Sequence, residues 1–102
     1  MRVRWTQPAR RDFLGVCDWI DQRNPQAAAA IGRRLLDAAD RLATMPRLGR
    51  EGRVEGTREL VVPRLPYVIV YAVEEGVDAA VVILRVIHGA MNWPPDENAE
   101  QP

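Results

Sequence analysis

Apolar residues recur with two different periods along this chain, and the change of period falls near its middle. Ala9, Phe13, Val16 and Ile20 repeat at helical spacing, with Cys17 beside them, while Arg11, Asp12, Asp18 and Asp21 lie mostly off that stripe. The pattern predicts an amphipathic helix of about four turns. Thr6 can cap it and Pro8 fits its first turn. Asn24-Pro25 then stops this helix and starts another, with a second stripe at Ala28, Ile31, Leu35, Ala39 and Leu42 that is expected to end at Pro46. Helices separated by so few residues are expected to lie antiparallel as a hairpin. Ahead of them, Val3–Trp5 reads as a short strand.

Residues 46–57 contain three glycines and three arginines and read as a long loop. Strand signals follow. Arg58, Leu60 and Val62 share one face of the first strand, Tyr67 to Val73 is apolar throughout, Glu74-Glu75-Gly76 marks a hairpin turn, and Ala79 to His88 is a second long apolar run. The resulting order is β-α-α-β-β-β: an α+β protein whose antiparallel sheet packs against an N-terminal helical hairpin. One domain is expected over residues 1–95, with a polar, frayed tail over 96–102. Strands apolar on both faces are covered on both sides, and the hairpin covers only one. The other cover is the C-terminal tail, a second copy of the chain, or a different protein.

Composition narrows the class. The chain is 47% hydrophobic and 27% charged, as an ordinary globular protein is. It has no apolar run long enough to span a bilayer, and its polar N-terminus lacks a signal-peptide core. No membrane association and a cytoplasmic location are expected. Cys17 alone cannot form an internal disulfide and reads as an inert buried thiol. All 14 basic residues are arginine, and they balance 14 acids. Arginine offers a planar fork suited to carboxylates and phosphates but is a poor general base. The balance is uneven: residues 46–66 carry five arginines against three acids, residues 67–102 one arginine against six acids. Bulk electrostatic binding of nucleic acid is not expected, whereas a local basic patch is possible.

Chemistry has few candidates. Serine is absent, so no serine nucleophile exists. One His and one Cys cannot build a metal cluster, and no phosphate-cradling glycine loop appears, so neither metal nor cofactor is expected. Arg85, set among Leu84 and Val86 and expected to share a face with Ile83 and Ile87, is either an anchor for an acidic or phosphate partner or one half of a salt bridge to Glu59 or another acid. An unpaired charge buried in a strand would cost several kcal/mol. Arg58 is a second such anchor or simply a solvated side chain. His88, the only histidine, could do acid–base work or be merely structural. Tyr67 and Tyr71 share a strand face and read as packing residues with hydroxyls available for chemistry. Asp18 and Asp21 read as helix-surface charges.

Several ordered motifs give the chain a family resemblance. Pro46-x-x-Gly49-Arg50, Gly56-Thr57-Arg58-Glu59-Leu60, Pro66-Tyr67-x-x-x-Tyr71 and Leu84-Arg85-Val86-x-His88-Gly89-Ala90, followed by Trp93-Pro94, resemble the RelE/ParE toxin superfamily, and its ParE-type branch best. Ala9-x-x-Asp12-Phe13 and Asn24-Pro25-x-Ala27-Ala28 add weaker support, and the resemblance spans about residues 3 to 94. Met91-Asn92 departs from the branch, which more often has a polar or basic residue and then an acid there. The resemblance implies the toxin of a type II toxin–antitoxin pair of the kind that stabilises plasmids. Its partner would be a ParD-like antitoxin that alone contacts operator DNA and whose C-terminal segment wraps the toxin. ParE-like action would be inhibition of DNA gyrase without catalysis; the alternative is RelE-like, ribosome-dependent cleavage of mRNA. Under the resemblance, Arg58, Arg85, Tyr67 and Tyr71 would meet the antitoxin and Arg50, Arg53 and Trp93 the target. For a ribonuclease, Arg58, Arg85 and His88 would be the catalytic set.

Overall fold

The computed structural model describes residues 1–95, and the tail expected at 96–102 lies outside the described residues. Two helices, α1 (Gln7–Asp21) and α2 (Pro25–Arg41), pack against one sheet built from β1 (Arg2–Trp5), β2 (Arg50–Glu51), β3 (Arg58–Val61), β4 (Tyr67–Glu74) and β5 (Ala80–His88). The strand order across the sheet is β1-β5-β4-β3-β2. The helix signals act as expected. Thr6 Oγ1 accepts from the Ala9 amide at 3.2 Å, and Asn24 Oδ1 accepts from the Ala27 amide at 3.2 Å, each satisfying an otherwise orphaned first-turn donor. α2 ends at Arg41, ahead of Pro46, where the amides of Leu42, Ala43 and Thr44 tighten onto the carbonyls three residues back, those of Ala39, Asp40 and Arg41.

Two features of the sheet differ from the sequence-based pattern. β2 is a two-residue strand inside the glycine- and arginine-rich segment, where Arg50 pairs with Glu59 and Glu51 with Arg58. β1 runs parallel to β5, so the sheet is antiparallel except at this edge.

The core lies between hairpin and sheet. Leu35 and Ala39 from α2, Leu42 at its C-cap, Ala9 from α1, and Ile69, Tyr71, Val81 and Ile83 from the strands are fully buried there. Each large apolar side chain removed from water in this way contributes roughly 1.5–3 kcal/mol. The second apolar face, on the far side of the sheet, carries Val68, Val70 and Ile87, with Leu84 and Trp93 packed on them. The cover is thus drawn partly from the segment after β5, through Trp93. Val61, in the same cross-strand row as Val68 and Ile87, stays half exposed.

A bulge sets the phase of β5. Val70 faces Arg85 but Tyr71 faces Ile83, leaving Leu84 without a partner on β4. One extra residue reverses the side-chain alternation beyond it. Ile83 and Val86 therefore both face the helices, while Leu84 and Ile87 face away. The expected common face of Ile83, Arg85 and Ile87 does not exist, because strict alternation holds only in an unbulged strand.

Candidate functional site

β1 stops at Trp5, opposite Ile83, so the last residues of β5 have no neighbouring strand on that side. The freed backbone groups find other partners. The Thr6 amide donates to the Ile83 carbonyl at 3.0 Å and the Thr6 hydroxyl to the Leu84 carbonyl at 3.1 Å. The Val86 amide donates to Asp12 Oδ2 at 2.9 Å. Arg85 emerges at this open edge and closes on the same carboxylate: Nε to Oδ2 at 2.6 Å and Nη2 to Oδ1 at 3.1 Å. This is a bidentate, charge-assisted pair, the strongest geometry available to arginine. The carboxylate pushes the Arg85 guanidinium further up from its already high range. The indole of Trp93 lies 5.5 Å from the guanidinium carbon, within cation–π range. Arg85 is thus one half of an ion pair, but its acid is Asp12 on α1 and not Glu59 across the sheet. The bulge turns it toward the helix edge.

Glu59 has a different role. Its carboxylate is fully buried and accepts from Arg53 Nη2 at 3.0 Å, Arg53 Nε at 3.2 Å, the Arg53 amide at 2.9 Å and Arg50 Nη2 at 3.2 Å. Hydrogen bonds from Arg53 foremost, with those from Arg50, hold its pKa down at about 2, against burial. Arg50 and Arg53 are the residues that the resemblance links to a target. Both remain substantially exposed while anchored at one end to this acid.

Arg58 is half buried rather than freely solvated, since its Nη1 donates to the Gly49 carbonyl at 2.7 Å. Below it, the Tyr71 hydroxyl accepts from the Gly49 amide and donates to the Pro46 carbonyl, both at 2.8 Å. A Cβ at Gly49 would lie 2.8 Å from the Tyr71 ring, so this approach requires glycine. Tyr71 has no exposed surface and cannot meet an antitoxin where it stands; its register opposite Ile83 turns it into the core. Tyr67 is nearly buried and meets His88 edge to face, with ring centroids 5.8 Å apart. His88 is exposed, and its Nδ1 accepts from the Ala90 amide at 3.0 Å. That bond leaves the proton of the neutral ring on Nε2.

The sequence-derived residues fall into two places. Arg85, His88 and Tyr67 line a groove of about 330 Å³ with Asp12, Trp19 and Met91. Arg58 lines a separate cavity of about 470 Å³ with Glu51, Thr57 and Glu75. Two acids hold arginines that the sequence did not assign to them: Asp12 was visible only as a polar position in the Ala9-x-x-Asp12-Phe13 motif, and Glu59 was named as a candidate partner of Arg85 but gathers Arg50 and Arg53 instead. Cys17 is half buried rather than fully buried, and burial pushes its thiol up. Among the described residues no three His, Cys, Asp or Glu side chains converge on a metal position. No described helix is long and apolar enough to cross a membrane.

The fold, a helical hairpin packed on one face of a five-stranded sheet, is shared with solved structures of toxin–antitoxin systems. One chain of the chromosomal ParDE TA system from P. aeruginosa superposes with a TM-score of 0.76 at 23% identity, covering 86% of this chain and 95% of that one. The family model described as ParE toxin of type II toxin–antitoxin system, parDE, matches residues 3–93. The chain belongs to this family. It is 40% identical over 93 residues to Y4kP of Sinorhizobium fredii, a protein provisionally named a toxin, covering 91% of this chain and 93% of that one. It is also 40% identical over 89 residues to Toxin RelE2 of Caulobacter vibrioides, covering 87% and 96%.

Proposed function

We propose that this protein is neutralised by a ParD-like antitoxin and acts by binding and inhibiting DNA gyrase, as a ligand and not as a nuclease. The observation that carries this reading is the dispersal of the would-be catalytic set. RNA cleavage through the 2′-hydroxyl needs a base, an acid and free cations around one phosphate. Arg58 lies in a different cavity from Arg85 and His88. Arg85 is closed on Asp12 and Arg58 on a backbone carbonyl. With no lysine in the chain, few cations remain to converge on a phosphate. A binding role asks only for exposed, well-anchored side chains, which Arg50 and Arg53 are.

The antitoxin reading rests on the family, whose description is of a paired system. Contact with operator DNA would come only through that partner, and the pair would work in the cytoplasm. The likeness to Toxin RelE2 keeps ribosome-dependent mRNA cleavage as the second reading. Supercoiling and DNA cleavage by purified gyrase, with and without the antitoxin, decide between them. Cleaved plasmid that accumulates with the chain and disappears with antitoxin is the expected result. An inert gyrase assay together with cleavage of ribosome-bound mRNA would overturn the proposal.

A further inference from the structure

The outward side of α1 carries a row that neither the core nor the proposed function uses. Gln7, Arg10, Leu14, Asp18 and Asp21 are all exposed and follow one another at spacings of three and four residues, so they share one helix face. Leu14 stands at the centre, 64% exposed. Arg10 lies toward the N-terminus, and Asp18 and Asp21 toward the C-terminus. None of these three charges has an ion-pair partner among the described residues, and Asp18 only accepts a 3.3 Å hydrogen bond from Gln22.

Beside the row lies an open apolar trough. A cavity of about 290 Å³ is walled by Trp5, Phe13, Leu14, Leu36 and the stem of Arg10. It continues through Phe13 and Leu36 into a second cavity of about 570 Å³ that runs between α1 and α2 past Cys17 and Gly32 to Asp21. An exposed leucine beside an apolar hollow is a knob next to a hole.

The row is its own complement when reversed. Arg10 and Asp18 each lie four residues from Leu14, roughly 6 Å along the axis, and Gln7 and Asp21 each lie seven away. We infer that this face is where a second copy of the chain docks, with the two α1 helices antiparallel about a two-fold axis at Leu14. In that arrangement Arg10 of each copy meets Asp18 of the other, Gln7 meets Asp21, and each Leu14 enters the trough of its partner. A two-fold interface uses the same patch on both subunits and requires such self-complementarity, whereas a patch shaped for a foreign helix has no need of charges balanced about its own midpoint. The contact is small, so the dimer is weak and concentration-dependent.

Sedimentation of the full chain, purified without any antitoxin, over a wide concentration range tests this. The wild type is expected to dimerise reversibly. Leu14→Glu, Arg10→Asp and Asp18→Arg are each expected to raise the dimer dissociation constant by about tenfold or more, since exposed pairs turn from attraction to repulsion or an apolar contact is lost. An equimolar mixture of Arg10→Asp and Asp18→Arg chains is expected to recover wild-type dimerisation as a heterodimer. All three positions are solvent-exposed, so unchanged thermal melting separates lost association from lost folding. A wild type that stays monomeric at the highest concentration would overturn the proposal. A dimer indifferent to the single charge reversals, or a mixture that fails to recover, would overturn it equally. A monomeric wild type whose antitoxin binding is lost in Leu14→Glu would assign the trough to that other protein instead.

Discussion

Replacing Glu59 with glutamine removes one charge from the buried cluster at the β2–β3 margin and leaves its volume unchanged. In the wild type, hydrogen bonds from Arg53 and Arg50 lower the carboxyl pKa from 4.5 to about 2. At about 1.4 kcal/mol for each tenfold displacement of the proton equilibrium, that shift corresponds to roughly 3 kcal/mol of folding stability. Both guanidiniums are substantially exposed, and solvent screening reduces the figure to about 2–3 kcal/mol. A folded-state pKa below the unfolded one stabilises the protein above the unfolded value and ceases to do so as pH falls through the folded value. The difference between wild type and Glu59→Gln should therefore be full at neutral pH, shrink below pH 4.5 and vanish near pH 2. At neutral pH it should lower the melting temperature by roughly 10–15 °C in a chain of this size. Thermal unfolding followed by circular dichroism at a series of pH values measures both quantities. A difference that is the same at every pH, or a neutral-pH difference within about 0.5 kcal/mol, the range of ordinary surface substitutions, would refute the assignment of this acid as an ionised anchor.

Three further outcomes are expected. Arg85→Ala leaves the half-buried Asp12 carboxylate without its bidentate partner and should cost about 1–3 kcal/mol in denaturant unfolding; a double-mutant cycle with Asp12→Ala should show coupling well above that of an exposed pair, and additivity would count against the pair. Tyr71→Phe removes both hydroxyl bonds that fold Pro46–Gly49 against β4 and leaves the Gly49 amide unpaired, so roughly 1–3 kcal/mol should be lost; amide exchange at Gly49 should accelerate, and unchanged exchange would contradict the role. Trp93→Ala should uncover Val68, Val70 and Ile87 and raise binding of a hydrophobic dye by the folded protein; no rise would show that Trp93 is not the cover.

Much of the architecture was legible in the chain because it depends on local periodicity and local capping. The stripes of α1 and α2 state which helix faces are buried, and Thr6, Asn24 and Pro25 mark helix starts through bonds made within one turn. The apolar runs of β4 and β5 announce strands covered on both sides. What stayed hidden depends on pairings between distant residues. Arg85 and Asp12 are 73 positions apart, and only the end of β1 at Trp5, with the bulge at Leu84, brings them together at an open sheet edge. Nothing local distinguishes Asp12 from Asp18 or Asp21 as an acid on the polar side of the same helix.

The tyrosines and arginines divide in the same way. Composition showed that all 14 cations are arginines and that five of them fall in residues 46–66. Whether each points at a partner or at its own fold is decided by strand register: Glu59 opposite Arg50 gathers Arg50 and Arg53, while Tyr71 opposite Arg58 is drawn into the core. The two helices, the apolar strands and the family could be read from the chain, because they follow from short-range pattern and ordered motifs. Which charges are anchored and which are free emerged only from the fold, because a charge takes its partner from the surface that folding places beside it.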